Sequence, residues 1–575
     1  MIEDVYEPLA RYRDEFRQRF AALAHDKFDE LTRLSGVDAD ANRATVAEIR
    51  RLRSRADSAG AKKTCFGWLM ALGFAGAAVA FAVTALAGDS GDRAQWLAGT
   101  AAGAVLGIAM IPPFRSASRL LSGLKAAIDA KTDVAWKQME PLNNLYAWDI
   151  TTGLIEATVP RLAFDPYFTA ARLESLRSQF DWDDSFNDGK SITFAQSGVV
   201  NGNPFVFGQY LDMQWGAKTY EGTKTISWTE WERDSDGRRR PVTRHETLRA
   251  HVTKPIPVYS EQKLLVYGNA AAPNLSFSRE PSGFSGPNRG FFDKMKMKWR
   301  LGRLKAYSRK LDDESNFTLM GNHEFETWFH AKDRDDEVEF RLLFTPVAQT
   351  QMLKLMKDDS VGYGDDFSFV KQRRANVLVS RHLSESSIDT DPAQFRSWDY
   401  DGAREFFQKF NENYFRVAYF SLAPLLAIPL YQQTRTHEEI WKGVVGRDES
   451  SFWEHEAVAN YHGEARFAHP DCATRSILKT DLVSREAGES EVSVTAHGYR
   501  AEERVDYVGV YGGDGRMHDV PVPWTEYLPV QRSSLMRLRE GGDACEDFRR
   551  RAAAAGASAY RRSILSFIAD GPERG

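Results

Sequence analysis

A chain of 575 residues exceeds what one compact core sustains and predicts about three or four units. Its 75 Lys+Arg against 80 Asp+Glu leave a formal charge of -5, without the basic excess that nucleic-acid binding uses, so no nucleic acid is expected as partner. A mean hydropathy of -0.46 limits any membrane portion to a small share of the length. The cysteines Cys65, Cys472 and Cys545 are too scattered for a disulfide framework or paired metal ligands, which fits a reducing compartment.

Residues 1–64 read as amphipathic and juxtamembrane helices. Val5, Leu9, Tyr12, Phe16, Phe20, Leu23, Phe28 and Leu31 recur at steps near three and four, predicting an amphipathic helix over Asp4 to Leu34. SGVDAD breaks it, and a polar helix resumes from Arg43 to Ser58. Three readings of the apolar stripe stay open: a juxtamembrane stalk, a surface for a partner, or one for a second copy.

Residues 65–114 predict a transmembrane hairpin with spans 65–87 and 94–114. Cys65 to Ala87 holds no charged residue and reaches about 34 Å as a helix, enough for a hydrocarbon core near 30 Å. Ala94 to Phe114 is likewise uncharged, and GDSGDR between them forms the turn. The competing reading is a pair of buried helices in a soluble domain. Gly99, Gly103 and Gly107 share one face of the second span, suited to close membrane packing against Gly73, Ala77 or Gly76, Ala80. Trp68 and Trp96 suit interfacial anchoring. Arg50, Arg51, Arg53, Arg55, Lys62 and Lys63 precede the spans and Arg115, Arg119 and Lys125 follow them, whereas the loop holds Arg93 alone. Both termini are therefore expected in the cytoplasm, with the lipid bilayer as one partner.

Residues 115–153 continue as a juxtamembrane helix through Leu120, Leu121, Leu124 and Ile128. From 154 to 400 the pattern becomes that of an α+β soluble domain. FVFGQYLDMQW, TKTISWTEWER and HETLRAHV read as strands, with DSDGRRRP as a charged turn. Asp234 and Asp236 resemble the opening of a calcium loop, but the spaced ligands and closing Glu are missing. FFDKMKMKWRLGRLKAYSRK, Phe291 to Lys310, is basic with interleaved aromatics, and reads as a solvated helix face or a contact with anionic lipid.

Phe325 to Ala331 and Glu337 to Phe344 are expected as paired strands, Pro346 to Lys357 as a helix, and Phe367 onward as two further strands. This run, with Phe325, Phe329, Asp335, Glu339, Arg341, Thr345, Pro346, Met352 and Leu355, resembles the bacterial domain of unknown function 3137 family. YEGTKTISWTEWE is similar to that family's upstream strand, and the paired N-terminal spans suit it. The resemblance covers roughly Leu34 to Leu383, with Phe344 where a second Leu or Ile is expected. It implies a multi-pass protein of the bacterial inner membrane carrying a cytoplasmic α+β domain. It assigns no activity and no catalytic residue, and it points to LemA-type membrane proteins as possible neighbours.

Residues 401–435 hold a helix and an apolar segment, Arg416 to Tyr431, which is short for a span and interrupted by Pro424 and Pro429. A buried helix or a re-entrant segment is expected over a third crossing. Residues 436–575 read as a β-rich unit with a terminal helix. His455, Glu456, His462 and His469, with Cys472 nearby, form the richest cluster of zinc-type ligands. His455 and His462 stand two helical turns apart, about 10 Å, whereas helical zinc pairs use i, i+4. Hydrogen-bonded structural histidines are the competing account. GGDG, Gly512 to Gly515, reads as a hairpin turn rather than a phosphate loop, because no helix start follows it. GxxxxGK[ST], HExxH and GxSxG do not occur.

The leading expectation is a non-enzymatic, membrane-anchored binding or scaffold module that meets a protein partner or itself and carries no cofactor. A metal-dependent hydrolase with zinc at the 455–472 cluster is the alternative. An oligomeric transport component comes third, since neither span bears an ionisable residue to line a path.

Overall fold

The computed structural model describes residues 6–86, 93–183, 187, 189–233, 238–284, 320–432, 449–541 and 546–569. Two compact units emerge. A helical unit comprises Ala21–Ala147 with Asp391–Glu412, and a sheet unit comprises Met1–Phe20, Trp148–Thr390 and Asn413–Gly575. The units do not follow the boundaries expected at 154, 400 and 436. Asp234, Asp236 and the basic segment Phe291 to Lys310 lie outside the described residues.

In the helical unit a helix of 48 residues, Ala39–Leu86, packs antiparallel to the helices Arg93–Ala109 and Ile111–Asn143. The break at Met110 precedes Pro112 and Pro113, which lack the amide hydrogens a continuous ladder needs. One register holds along the pair. Glu48 meets Lys131 at 2.7 Å, Lys63 lies 5.8 Å from the Phe114 ring, and a Cβ on Gly73 would stand 2.7 Å from the Gly107 amide. On Gly103 a Cβ would stand 2.8 Å from the Ala77 amide, so only hydrogen fits where these backbones approach. Gly99 faces Ala80, Gly107 backs onto the Phe74 ring, and Gly76 faces open space. At the other end Asn42 and Asn143 clasp the returning chain: Asn42 accepts from the Tyr400 amide at 3.0 Å, and Asn143 accepts from the Ser397 amide at 3.1 Å and donates to its carbonyl at 2.9 Å.

The N-terminal apolar stripe is satisfied within the chain. In the sheet unit Tyr12 packs on Phe415, Tyr419 and Phe420, and Phe20 stacks on Phe415 with ring centroids 4.3 Å apart. In the helical unit Phe28 packs on Tyr400 and Phe407.

The sheet unit carries two antiparallel sheets. The first is ordered β1-β2-β3-β4-β7-β6-β5, from Leu162–Phe164, Lys190–Val200, Asn203–Arg233, Arg239–Gly268, Ala375–Ser380, Phe367–Gln372 and Ser276–Arg279. The second is ordered β11-β12-β10-β9-β8, from Ser558–Arg561, Ile564–Ala569, Met517–Glu540, Glu489–Tyr511 and Ile477–Glu486. FVFGQYLDMQW and TKTISWTEWER are one strand, β3, paired with β4 from Phe205 opposite Tyr267 to Arg233 opposite Arg239. The outer half of that hairpin lies on β9 and β10, with Ile226, Leu248 and Ala250 packed against Val520 and Val522. Gly222 permits the contact, since a Cβ there would overlap the Pro521 carbonyl. GGDG closes the β9–β10 hairpin, as expected.

Two expectations fail. Phe325 to Ala331 and Glu337 to Phe344 are not strands: the helices His323–Phe329 and Glu337–Leu343 take up all but His330, Ala331 and Phe344. Their buried aromatics sit at helical spacing, Phe325, Trp328 and Phe329 in one and Phe340 with Leu343 in the other. The side chains of Asn322 and Asp336 cap them by accepting from the Phe325 and Glu339 amides. Pro346–Lys357 is the expected helix, capped by Thr345. Arg416 to Tyr431 forms the end of the helix Tyr400–Leu426 and a following turn. Val417, Leu422, Leu425 and Ile428 are buried there, in keeping with the expected buried helix.

Candidate functional site

The helix Phe452–His462 runs between the two sheets, which explains why Trp453 to Ala459, with Glu454, His455 and Glu456 among them, are all buried. Trp453 and Ala457 join the core with β2, β3 and β4, while Val458 and Ala459 join the core with β8, β9 and β10. Each polar side chain must therefore find a partner at its own position. Glu454 accepts from the Phe168 amide at 2.8 Å and from Arg562 at 3.0 Å. Glu456 accepts from the Ile192 amide at 2.8 Å, and its Oε1 lies 2.7 Å from the Lys479 ammonium. His455 Nε2 meets Ser450 Oγ at 3.1 Å, and His462 Nε2 meets Ser566 Oγ at 2.9 Å.

The four residues singled out for zinc are thus dispersed. His455 and Glu456 engage different partners, the Ser450 hydroxyl and the Ile192 amide with Lys479, His469 sits in the loop beyond and accepts from the Asp471 amide at 3.1 Å, and the Cys472 thiol donates to the Thr474 carbonyl at 3.3 Å. Among the described residues no group of three His, Cys, Asp or Glu side chains converges to hold a metal ion. Burial sets their protonation. It pulls His455 down to about 4, with Arg485 adding repulsion, and His462 down to about 4. It pushes Glu456 up to about 7 against the opposing pull of Lys479.

A second constellation was not legible in the sequence. His382 Nδ1 lies 2.7 Å from Asp366 Oδ2, and His382 Nε2 lies 3.1 Å from Ser421 Oγ and 3.3 Å from Ser380 Oγ. The imidazole stacks on Tyr363 at 4.1 Å, and the Arg416 guanidinium lies 4.3 Å from the centre of that ring. The order carboxylate, imidazole, hydroxyl is that of a nucleophilic triad. The hydroxyl is used differently here: Ser421 is 3% exposed and donates to the Val417 carbonyl of its own helix at 2.8 Å. The array ties the residue before β6, the end of β7 and the short helix Arg381–Glu385 to the helix Tyr400–Leu426. Three residues so far apart in sequence leave no local signal.

An apolar cleft of the sheet unit, about 680 Å³, is lined by residues of β3, β4, β8, β9 and β10. Met213, Ile477, Tyr499 and Val530 wall it, and Tyr259 and Lys479 supply polar groups. Lys479 is held by Glu456 below and donates to the carbonyls of Asn187 and Lys190. Tyr259 hydroxyl meets Thr474 Oγ1 at 3.1 Å, next to Cys472. Apolar walls with few fixed polar groups suit binding of a small molecule or a side chain. Comparison with family models, curated proteins and solved structures returns no match for this chain.

Proposed function

We propose that this chain is a bilayer-anchored binding module, similar in plan to the domain of unknown function 3137 family, whose sheet unit faces the cytoplasm. The observation that carries the reading is where the helical unit puts its apolar side chains. Small residues face inward between the two helices, while Trp68, Leu72, Val79, Phe81, Val105 and Ile108 point outward and are exposed. Only 17% and 6% of the two most apolar windows are buried, the reverse of a soluble core helix. Hydrocarbon is the solvent such a surface fits. Helical rise separates the level of Trp68 from that of Trp96 by roughly 24 Å, a spacing suited to two interfacial belts. The antiparallel register gathers Lys62, Lys63, Arg115 and Arg119 at one end, which the charge rule assigns to the cytoplasm.

Binding rather than catalysis is supported by the engagement of His455, His462 and the Asp366, His382 and Ser421 array in structural hydrogen bonds and by the apolar cleft. The test is fractionation: after alkaline carbonate washing the full chain should stay with the membrane pellet, and a variant lacking 65–114 should leave it. Release of the full chain by carbonate refutes the anchor.

A further inference from the structure

Two consecutive arginines close β11, and the fold treats them oppositely. Arg561 and Arg562 are 1% and 3% exposed. Arg562 is engaged through both terminal nitrogens: it donates to Glu454 at 3.0 Å, to the carbonyls of Pro166 at 3.1 Å and Asp165 at 3.3 Å, and to that of Ala195. Arg561 has no hydrogen-bond partner among the described residues on Nε, Nη1 or Nη2. Its guanidinium instead lies 5.2 Å from the Phe194 ring centre, 5.9 Å from Tyr461 and 6.0 Å from Trp148. The turn that follows holds Arg562 and Ser563 at φ of 46° and 66°, a left-handed pair that joins β11 to β12 and fixes where each arginine points. Ring faces compensate a desolvated cation only in part, and five unmet donors inside a protein are strongly unfavourable.

Arg561 also lines a cleft of about 690 Å³ in the sheet unit, a volume typical of small-ligand sites. The other cations of that cleft are engaged: Lys263 donates to the carbonyls of Ser384 and Ser386, and Arg475 pairs with Glu261 and Glu464 at 3.1 Å. A free guanidinium fork over an aromatic wall matches a planar oxyanion held by two parallel hydrogen bonds. The rest of the lining narrows the choice. Glu261, Glu385, Asp389 and Glu464 outnumber Lys263, Arg475 and Arg561, so a multiply charged phosphate is opposed more strongly than a single carboxylate.

We infer that Arg561 anchors a binding site for a small carboxylate ligand, held bidentate by the guanidinium between Phe194 and Tyr461. The assignment is independent of bilayer insertion, so it and the anchoring reading fail separately. The test uses the full chain in detergent micelles, with benzoate as probe and inorganic phosphate at matched ionic strength as comparator, read by calorimetric titration and thermal melting. Benzoate should bind saturably and raise Tm, and more strongly than phosphate does. Arg561→Gln should abolish the response and, by removing an unpartnered buried charge, melt roughly 2 °C or more above the parent without ligand. Arg561→Lys, which keeps the charge but not the fork, should weaken benzoate at least about tenfold. The proposal is overturned if benzoate does not bind, if phosphate binds more tightly, or if Arg561→Gln melts below the parent. Should the Gln variant not fold, unchanged benzoate affinity in Arg561→Lys overturns it equally.

Discussion

Two apolar stretches of this chain meet opposite fates. The windows within Ala39–Thr84 and Ala94–Asn143 leave most of their apolar side chains uncovered, whereas Arg416 to Tyr431 buries Val417, Leu422, Leu425 and Ile428. The difference teaches that continuity, rather than hydrophobicity alone, separates an uncovered apolar helix from a core helix. The first pair is uncharged for more than twenty residues and keeps its small residues on one face. The second begins with an arginine whose guanidinium donates to the carbonyls of Val361 and Gly362, carries Ser421 in a buried polar array, and ends at prolines. Its polar groups have protein partners, which a bilayer does not provide.

The sharpest way to break the comparison is to place one charge in each stretch. Leu422→Arg puts an unpaired cation in a sealed core and should cost roughly 4 kcal/mol or more, leaving the sheet unit unfolded by near-ultraviolet circular dichroism. Val79→Arg should leave that signal intact and instead oppose insertion by roughly 2.5–3.5 kcal/mol, seen as a larger carbonate-soluble fraction. Equal effects on folding would erase the distinction.

Acid should separate the same regions. His455 titrates near 4 in the fold against an ordinary 6.5, so the unfolded chain binds the extra proton between these values. Stability is present above pH 6.5 and falls as the pH drops towards 4, by up to about 3 kcal/mol from this residue. His462 acts in the same sense. Urea midpoints at pH 7.5 and pH 5 should differ less in His455→Gln than in the parent. The hairpin, uncharged from Cys65 to Leu86, should keep its helicity throughout. A smaller effect is expected from Gly103→Leu, whose side chain meets the backbone of Ala77; overpacking costs about 1–2 kcal/mol and should open the helix pair, lowering cross-linking between cysteines placed at Ala80 and Gly99.

Much of this architecture is legible in the residues. The two long apolar helices, the Gly99, Gly103, Gly107 face, the Thr345-Pro346 helix start and the Gly512 to Gly515 turn each carry local signals that tertiary structure did not override. Phe325 and Phe329, by contrast, lie in a seven-residue helix too short to show a period, and aromatic enrichment mimics a strand. FVFGQYLDMQW and TKTISWTEWER read as separate strands, yet they are one continuous strand in which Gly208, Gly216 and Gly222 mark close approaches. The histidine cluster misled for the opposite reason: neighbours in sequence on a helix between two sheets are driven apart in space. Asp366, His382 and Ser421, and Arg561 with Phe194, meet only through the fold, and no local pattern announces them.

The central claim is that the hairpin crosses a bilayer with the sheet unit inside. It is tested most directly by labelling with an impermeant maleimide in intact and lysed cells, using one variant that keeps only Cys472 and another with Ser90→Cys as its single cysteine. Cys472 is a usable reporter. Burial opposes its ionisation, but hydrogen bonds from Ser476, Thr474 and the Tyr499 amide outweigh that and hold the thiol below its ordinary range. The account predicts that Cys472 is labelled only after lysis while the cysteine at position 90 is labelled from outside. Labelling of Cys472 in intact cells, or protection of position 90 until lysis, would contradict it.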